Sequence, residues 1–166
     1  MNRGYVLVEV TIAYLILTVA LIALLPVFVL AIKAGKSTEQ LQTATYLSQE
    51  LLEEVRLRKW DQNSSSTPQH INNPSAALGP DAGETDKTKF NDIDDFNGLS
   101  ENPPKDPLNN PLTAFSAYTR TVTVNYVDST MVVLSTPSTS NYKQVQVCTS
   151  TSLRAGICLT TLFTNR

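Results

Sequence analysis

The stretch Arg3-Gly4-Tyr5-Val6-Leu7-Val8-Glu9-Val10 decides how the rest of the chain reads. A short basic leader ends in Gly4, an apolar run begins at Tyr5, and one carboxylate, Glu9, stands just inside that run. From Val10 to Ile32 no side chain is charged. That is about 23 residues, enough to cross a bilayer once as a helix. A carboxylate at the lip of a lipid-facing segment costs several kcal/mol unless something pairs with it. Glu9 therefore needs a partner. A secretory signal would have an apolar core of about 7–15 residues and then a small-residue cleavage site; this core is longer and lacks one. Arg3 is the one charge in the leader and fits a cytoplasmic N-terminus by the positive-inside tendency.

Gly4 followed by an apolar residue, with Glu9 at the fifth place after the glycine, resembles the class III signal of type IV pilins and pseudopilins. Its common form is Gly followed by Phe-Thr-Leu-Ile-Glu. Tyr5 stands where Phe is usual, and Val6 and Val8 replace the commoner Thr and Ile. The resemblance implies that a prepilin peptidase cuts between Gly4 and Tyr5 and methylates the new amine of Tyr5. It also implies that Glu9 is the assembly residue, pairing in the filament with the Tyr5 amine of a neighbouring subunit. Two charges that are costly in lipid would then neutralise each other. Pro26 deletes a backbone hydrogen bond and is expected to kink or locally melt the helix. A proline at this distance from the cleavage site is common in the same family. Gly35 weakens the helix just past the apolar span.

The chain has 166 residues, a net charge of -2 and two cysteines. That length suits one domain, and the charge gives no nucleic-acid footprint. Beyond the apolar third, Ser, Thr, Asn and Pro dominate, so a small polar domain with a limited core is expected to need a staple. With the anchor directing the C-terminal part out of the cytoplasm, Cys148 and Cys158 read as a disulfide. Zinc would need more ligands, and His70, the single histidine, lies far away in a loop-like stretch.

After Lys33 the sequence turns amphipathic, with Leu41, Ala44, Leu47, Leu51 and Val55 at intervals of three and four. Glu54 precedes Arg58 by four places and Glu53 precedes Arg56 by three, both favourable pairings on a helix. The helix is expected to run to Trp60, about 55 residues and about 80 Å at 1.5 Å each. The segment from Ala44 to Asp61, with its Leu-Glu-Glu-Val-Arg run, is similar to minor pilins of the V-type, I-type pseudopilins of type II secretion and the D-type minor pilin of mannose-sensitive haemagglutinin pili. From Gln62 to Pro111 periodicity disappears among prolines, opening at Asn63-Ser64-Ser65-Ser66-Thr67-Pro68. This long loop is expected to wrap over the helix and a sheet edge. Ala117 to Val127 then alternates, with Tyr118, Arg120, Val122, Val124 and Tyr126 on one face. Thr130–Ser135, Tyr142–Cys148 and Ile157–Phe163 read as further strands, and Pro137 to Asn141 as a break. If Cys148 and Cys158 face each other across the last hairpin, Val145, Val147, Ile157 and Leu159 share the opposite face.

Asn91-Asp92-Ile93-Asp94-Asp95-Phe96-Asn97-Gly98 gathers three carboxylates and two amides beside a glycine. Hard cations want many oxygens from a bendable loop, which makes Asp92, Asp94 and Asp95 candidate calcium ligands. The closing bidentate Glu of a helix-loop-helix site is missing. No Gly-x-Ser-x-Gly elbow and no phosphate-binding glycine loop is present. Lys33, Lys36, Arg56, Arg58 and Lys59 read as a solvated face flanking a membrane.

The expected architecture is α+β. Residues 1–4 form the leader, 5–60 the N-terminal helix with its transmembrane part over 5–32, 61–112 an irregular loop, and 113–166 an antiparallel β-sheet head with a C-terminal disulfide hairpin. An antiparallel sheet covered by the outer half of a long helix is the pilin architecture. The resemblance implies a structural, non-enzymatic minor pilin or pseudopilin of the bacterial inner membrane with no cofactor other than calcium. Its partners would be other pilins, the prepilin peptidase and the assembly platform, not nucleic acid. A single-pass anchored binding or enzymatic domain that never polymerises is the alternative, and Glu9 separates the two.

Overall fold

The computed structural model describes residues 3–64, 70–135, 138–152 and 154–166. Met1 and Asn2 of the leader, residues 65–68 of the loop opening and Pro137 lie outside them. The chain is α+β. Helix α1 (Arg3–Arg56) is followed by an antiparallel sheet of four strands in sequential order: β1 (Ser100–Glu101), β2 (Tyr118–Tyr126), β3 (Tyr142–Thr151) and β4 (Arg154–Thr164). It divides into two compact units, Met1–Leu41 and Gln42–Arg166.

The first unit is helical throughout its described length and remains so through Pro26, without local melting. Every large apolar side chain from Tyr5 to Ile32 is at least half exposed. The helix is long and apolar enough to cross a membrane. Its two threonine hydroxyls in the apolar span are satisfied within the helix, as a lipid environment requires: Thr11 Oγ1 donates to the Val8 carbonyl at 2.9 Å, and Thr18 Oγ1 reaches the Tyr14 and Leu15 carbonyls at 3.0 and 2.9 Å.

In the second unit the C-terminal part of α1 covers one face of the sheet. Leu51, Leu52 and Val55 bury against Val122 and Val124 of β2 and Val145 and Val147 of β3. The alternation expected for β2 holds: Arg120, Val122, Val124 and Tyr126 are all buried, while Thr121 and Thr123 face out. On the helix, Ala44, Leu47, Leu51 and Val55 are buried as expected, but Leu41 is 46% exposed because the packed face begins only at Ala44. Cys148 and Cys158 are bonded directly across β3 and β4, with Cα atoms 4.0 Å apart. Val147 pairs with Leu159 and Thr149 with Ile157 on either side. Gly156 has a steric reason, since a Cβ there would lie 2.5 Å from the Thr149 carbonyl oxygen.

Three elements differ from expectation. Helix α1 ends at Arg56, short of Trp60, because Leu57 and Arg58 tighten to carbonyls three residues back. Lys59 then leaves the helix to exchange backbone hydrogen bonds with Asn91 and Ile93. Thr130–Ser135 is not a strand. The Asp128 carboxylate takes the backbone N–H groups of Thr130 and Val132 at 2.8 and 3.0 Å, a local turn that competes with ladder pairing. One isolated bridge, Val127 to Val133, remains there. The fourth strand comes instead from within the loop, as β1 pairs Ser100 with Thr121 and Glu101 with Arg120. The loop also fills the core, through Phe90, Ile93 and Phe96, with the two phenylalanine rings edge-on at 5.1 Å.

Candidate functional site

Around the start of α1, Glu9 shares a shallow surface with Tyr5, Val8 and Ile12. Tyr5 is 82% exposed, and Gly4 belongs to the helical backbone. Glu9 is the one acid between Tyr5 and Ile32, set on a helix apolar on all sides. A helix that is hydrophobic all round is a buried or membrane helix. A carboxylate on it acquires a counter-charge from outside the helix or is left costly.

The head places its charges inside. Arg120 lies on the apolar face of β2, fully buried, and its guanidinium meets Glu101 through Nε at 3.0 Å and Nη2 at 2.6 Å. It also donates to the Leu47 carbonyl at 3.2 Å and reaches Glu50 on α1 at 3.3 Å. The other Glu101 oxygen lies 3.1 Å from Lys87 Nζ, which also pairs with Glu54 at 3.1 Å and donates to the Lys105 carbonyl at 2.7 Å. Helix, loop, β1 and β2 are thereby tied by five charges. The expected helix pairs also form, Glu53 with Arg56 at 2.6 Å and Glu54 with Arg58 at 3.9 Å, although Glu54 sits nearer to Lys87.

A second cluster surrounds Lys143 of β3. Its Nζ contacts Asp94 at 2.7 Å, the Trp60 carbonyl at 2.8 Å and Asp61 at 3.5 Å. The Trp60 ring lies 3.9 Å from Nζ and the Tyr126 ring 5.1 Å. Asp61 also accepts the backbone N–H groups of Asn63 and Ser75 at 2.9 and 2.7 Å. Tyr126 donates its hydroxyl proton to the Ser75 carbonyl at 2.6 Å. Burial pushes the Asp94 carboxyl up to about 7, against the pull of Lys143, and raises Asp92 to about 6 with help from the nearby Asp95 charge. Burial, and then the neighbouring Asp94, also raise the Tyr126 phenol.

The three aspartates expected to ligate calcium do not converge on one point. Asp92 accepts the backbone N–H groups of Asp94 and Asp95 and so caps the short 3-10 turn Asp94–Phe96. Asp94 turns to Lys143, and Asp95 accepts from the Asn91 and Asp92 backbone at 2.8 and 3.0 Å. One oxygen of each is thus engaged, in turn formation for Asp92 and Asp95 and in the ion pair for Asp94. Among the described residues, Asp81, Glu84 and Asp95 are the acids whose oxygens approach within 4.8 Å of one another. There Glu84 already accepts from the Asp81 backbone and the Asn91 amide. His70 is exposed.

Sequence reasoning missed Lys143, Lys87, Asp61 and Glu101. A signal existed for one of them, because Lys143 has the parity of Val145 and Val147, as Arg120 has that of Val122 and Val124. A cation on the apolar face of a strand marks a buried partner. Compared with known proteins, the chain matches no family model, no curated protein and no solved structure.

Proposed function

We propose that this chain is a minor pilin or pseudopilin: a structural subunit held in the bacterial inner membrane by α1, cleaved between Gly4 and Tyr5, methylated at Tyr5, and assembled into or priming a type IV pilus or a type II secretion pseudopilus. The single observation that carries the reading is the surface of α1 from Tyr5 to Ile32, apolar on every side and bearing one acid, Glu9. Lipid satisfies the apolar side chains of a lone anchor, but it offers Glu9 no counter-charge. A neighbouring subunit with a free Tyr5 amine offers both apolar helix surface and that charge. The α+β head, with its helix-covered antiparallel sheet and its disulfide, suits a domain outside the cytoplasm. The prepilin peptidase and the assembly platform are the partners this reading requires.

The test is Glu9→Ala in the full chain, expressed with its own secretion or pilus machinery. The expected result is a variant that stays in the membrane and forms its disulfide but is lost from sheared filaments. Incorporation at the unmodified level would contradict the pairing role and favour a single-pass anchored domain that does not polymerise.

A further inference from the structure

We propose that the outer flank of α1 in the head docks a second copy of this chain, whose Lys33 and Lys36 enter it to meet Glu50 and Glu53 with Glu54. Tyr46, Glu50, Glu53 and Leu57 recur along α1 at intervals of four, three and four, and all four are exposed. That spacing makes a seam against which a partner helix packs. Tyr46 and Leu57 are 69% and 86% exposed, apolar surface that the head leaves uncovered. Two cavities open along the stripe and share Glu50. One of about 320 Å³ lies among Tyr46, Glu50 and Phe115, and one of about 350 Å³ among Glu50, Glu53, Glu54 and Leu57.

Both cavities suit a cation. In the first, a carboxylate stands beside two aromatic rings, whose faces attract an ammonium. Arg120 spends two nitrogens on Glu101 and one on Glu50, which stays 44% accessible at the open end of the cluster. In the second, the Glu54 side chain is 6% exposed. Its Oε1 accepts no hydrogen bond among the described residues, with Arg58 Nη2 standing 3.9 Å away. A buried carboxylate oxygen left in this way is costly until a donor reaches it. The exposed Glu53–Arg56 pair is weak, so Glu53 is free to turn to a second cation.

Charge and spacing select the occupant. The two cavities follow one another along α1 by about a turn, so they take two cations about a turn apart on one helix. Lys33 and Lys36 of α1 are such a pair, and both are exposed. Val29 and Gln40 continue their stripe at the same intervals of four, three and four. A shift of 17 places, 33 to 50 and 36 to 53, sets Val29 on Tyr46, Lys33 on Glu50, Lys36 on Glu53 and Gln40 on Leu57. The shift is about 26 Å of helix. Each copy then offers one groove and one basic turn, and neither surface pairs with itself. Such a head-to-tail contact builds a row of copies and not a closed dimer. The contact deepens the filament reading and rests on it for its role, because copies anchored level in one bilayer lack the shift.

The experiment takes the full, membrane-extracted chain in detergent, which frees the copies from a common level, as an equal mixture of unlabelled and heavy-isotope protein. A water-soluble carbodiimide joins lysines to the carboxylates they touch, and the digested peptides are sorted by mass. The expected products pair a light with a heavy peptide and link Lys33 to Glu50 and Lys36 to Glu53 or Glu54. In sedimentation the unmodified chain is expected to form a series of oligomers that Lys33→Gln combined with Lys36→Gln loses. These two substitutions lie outside the head, so its fold is not at stake in them. Mixed-isotope products that are absent, or that join Lys36 to Glu39 of a level neighbour, would overturn the proposal. So would a double variant that assembles like the unmodified chain, which would give the groove another occupant. Neither readout needs Glu9, cleavage after Gly4 or a filament, so failure here is distinct from failure of the pilin reading.

Discussion

The first unit, up to Leu41, and the head, from Gln42 onward, handle charge in opposite ways. Along α1 from Tyr5 to Ile32 the surface is apolar and the single acid, Glu9, is exposed upon it. In the head, Arg120, Lys87 and Lys143 are buried among Glu101, Glu54, Asp94 and Asp61. The head completes its pairs internally, because loop, helix and strands bring both signs together. A single helix cannot do this for Glu9. The difference teaches that an unpaired charge in this chain reports on what lies outside it, whereas a buried one reports on how the head is tied.

The comparison is sharpened most by removing a buried cation. Arg120→Ala leaves Glu101 buried with only part of its compensation, and unfolding of the full chain in detergent should show a loss of about 3–5 kcal/mol. Adding Glu101→Gln should recover part of that loss. An effect within about 0.5 kcal/mol, the range of ordinary surface substitutions, would break the claim that the head depends on internal pairing.

A pH series gives a smaller effect. The folded-state pKa of Asp92, about 6, lies above its ordinary value of 3.8. The folded chain therefore binds more protons than the unfolded one between those values, and stability falls as pH rises from about 4 to about 6. Two units correspond to about 2–3 kcal/mol. The difference between the melting curves of the unmodified chain and Asp92→Asn isolates this share, and a difference that grows in the opposite direction would refute the assignment. The smallest effect belongs to the exposed Glu53–Arg56 pair, whose side chains are 63% and 46% accessible. Glu53→Ala should change stability by less than about 0.5 kcal/mol.

Much of this was legible in the residue pattern. The two-residue period of β2 placed Arg120, Val122, Val124 and Tyr126 inside, and the three-four spacing placed Ala44, Leu47, Leu51 and Val55 against them. Cys148 and Cys158 shared a strand parity that allowed a bridge. Elements decided by distant partners escaped. Strand β1 is two residues long and exists because Glu101 meets Arg120, a pairing invisible locally. Thr130–Ser135 carries strand-like residues but lies under the Asp128 side chain, which takes the N–H groups a strand would need. The acidic turn gave no local sign that Asp94 pairs with Lys143 of β3.

The central claim concerns the start of α1, and its most direct test is the N-terminus of the membrane-extracted chain, read by fragment sequencing in a host with an active prepilin peptidase. The account predicts a chain that begins at a methylated Tyr5. A chain that still begins at Met1 would contradict it.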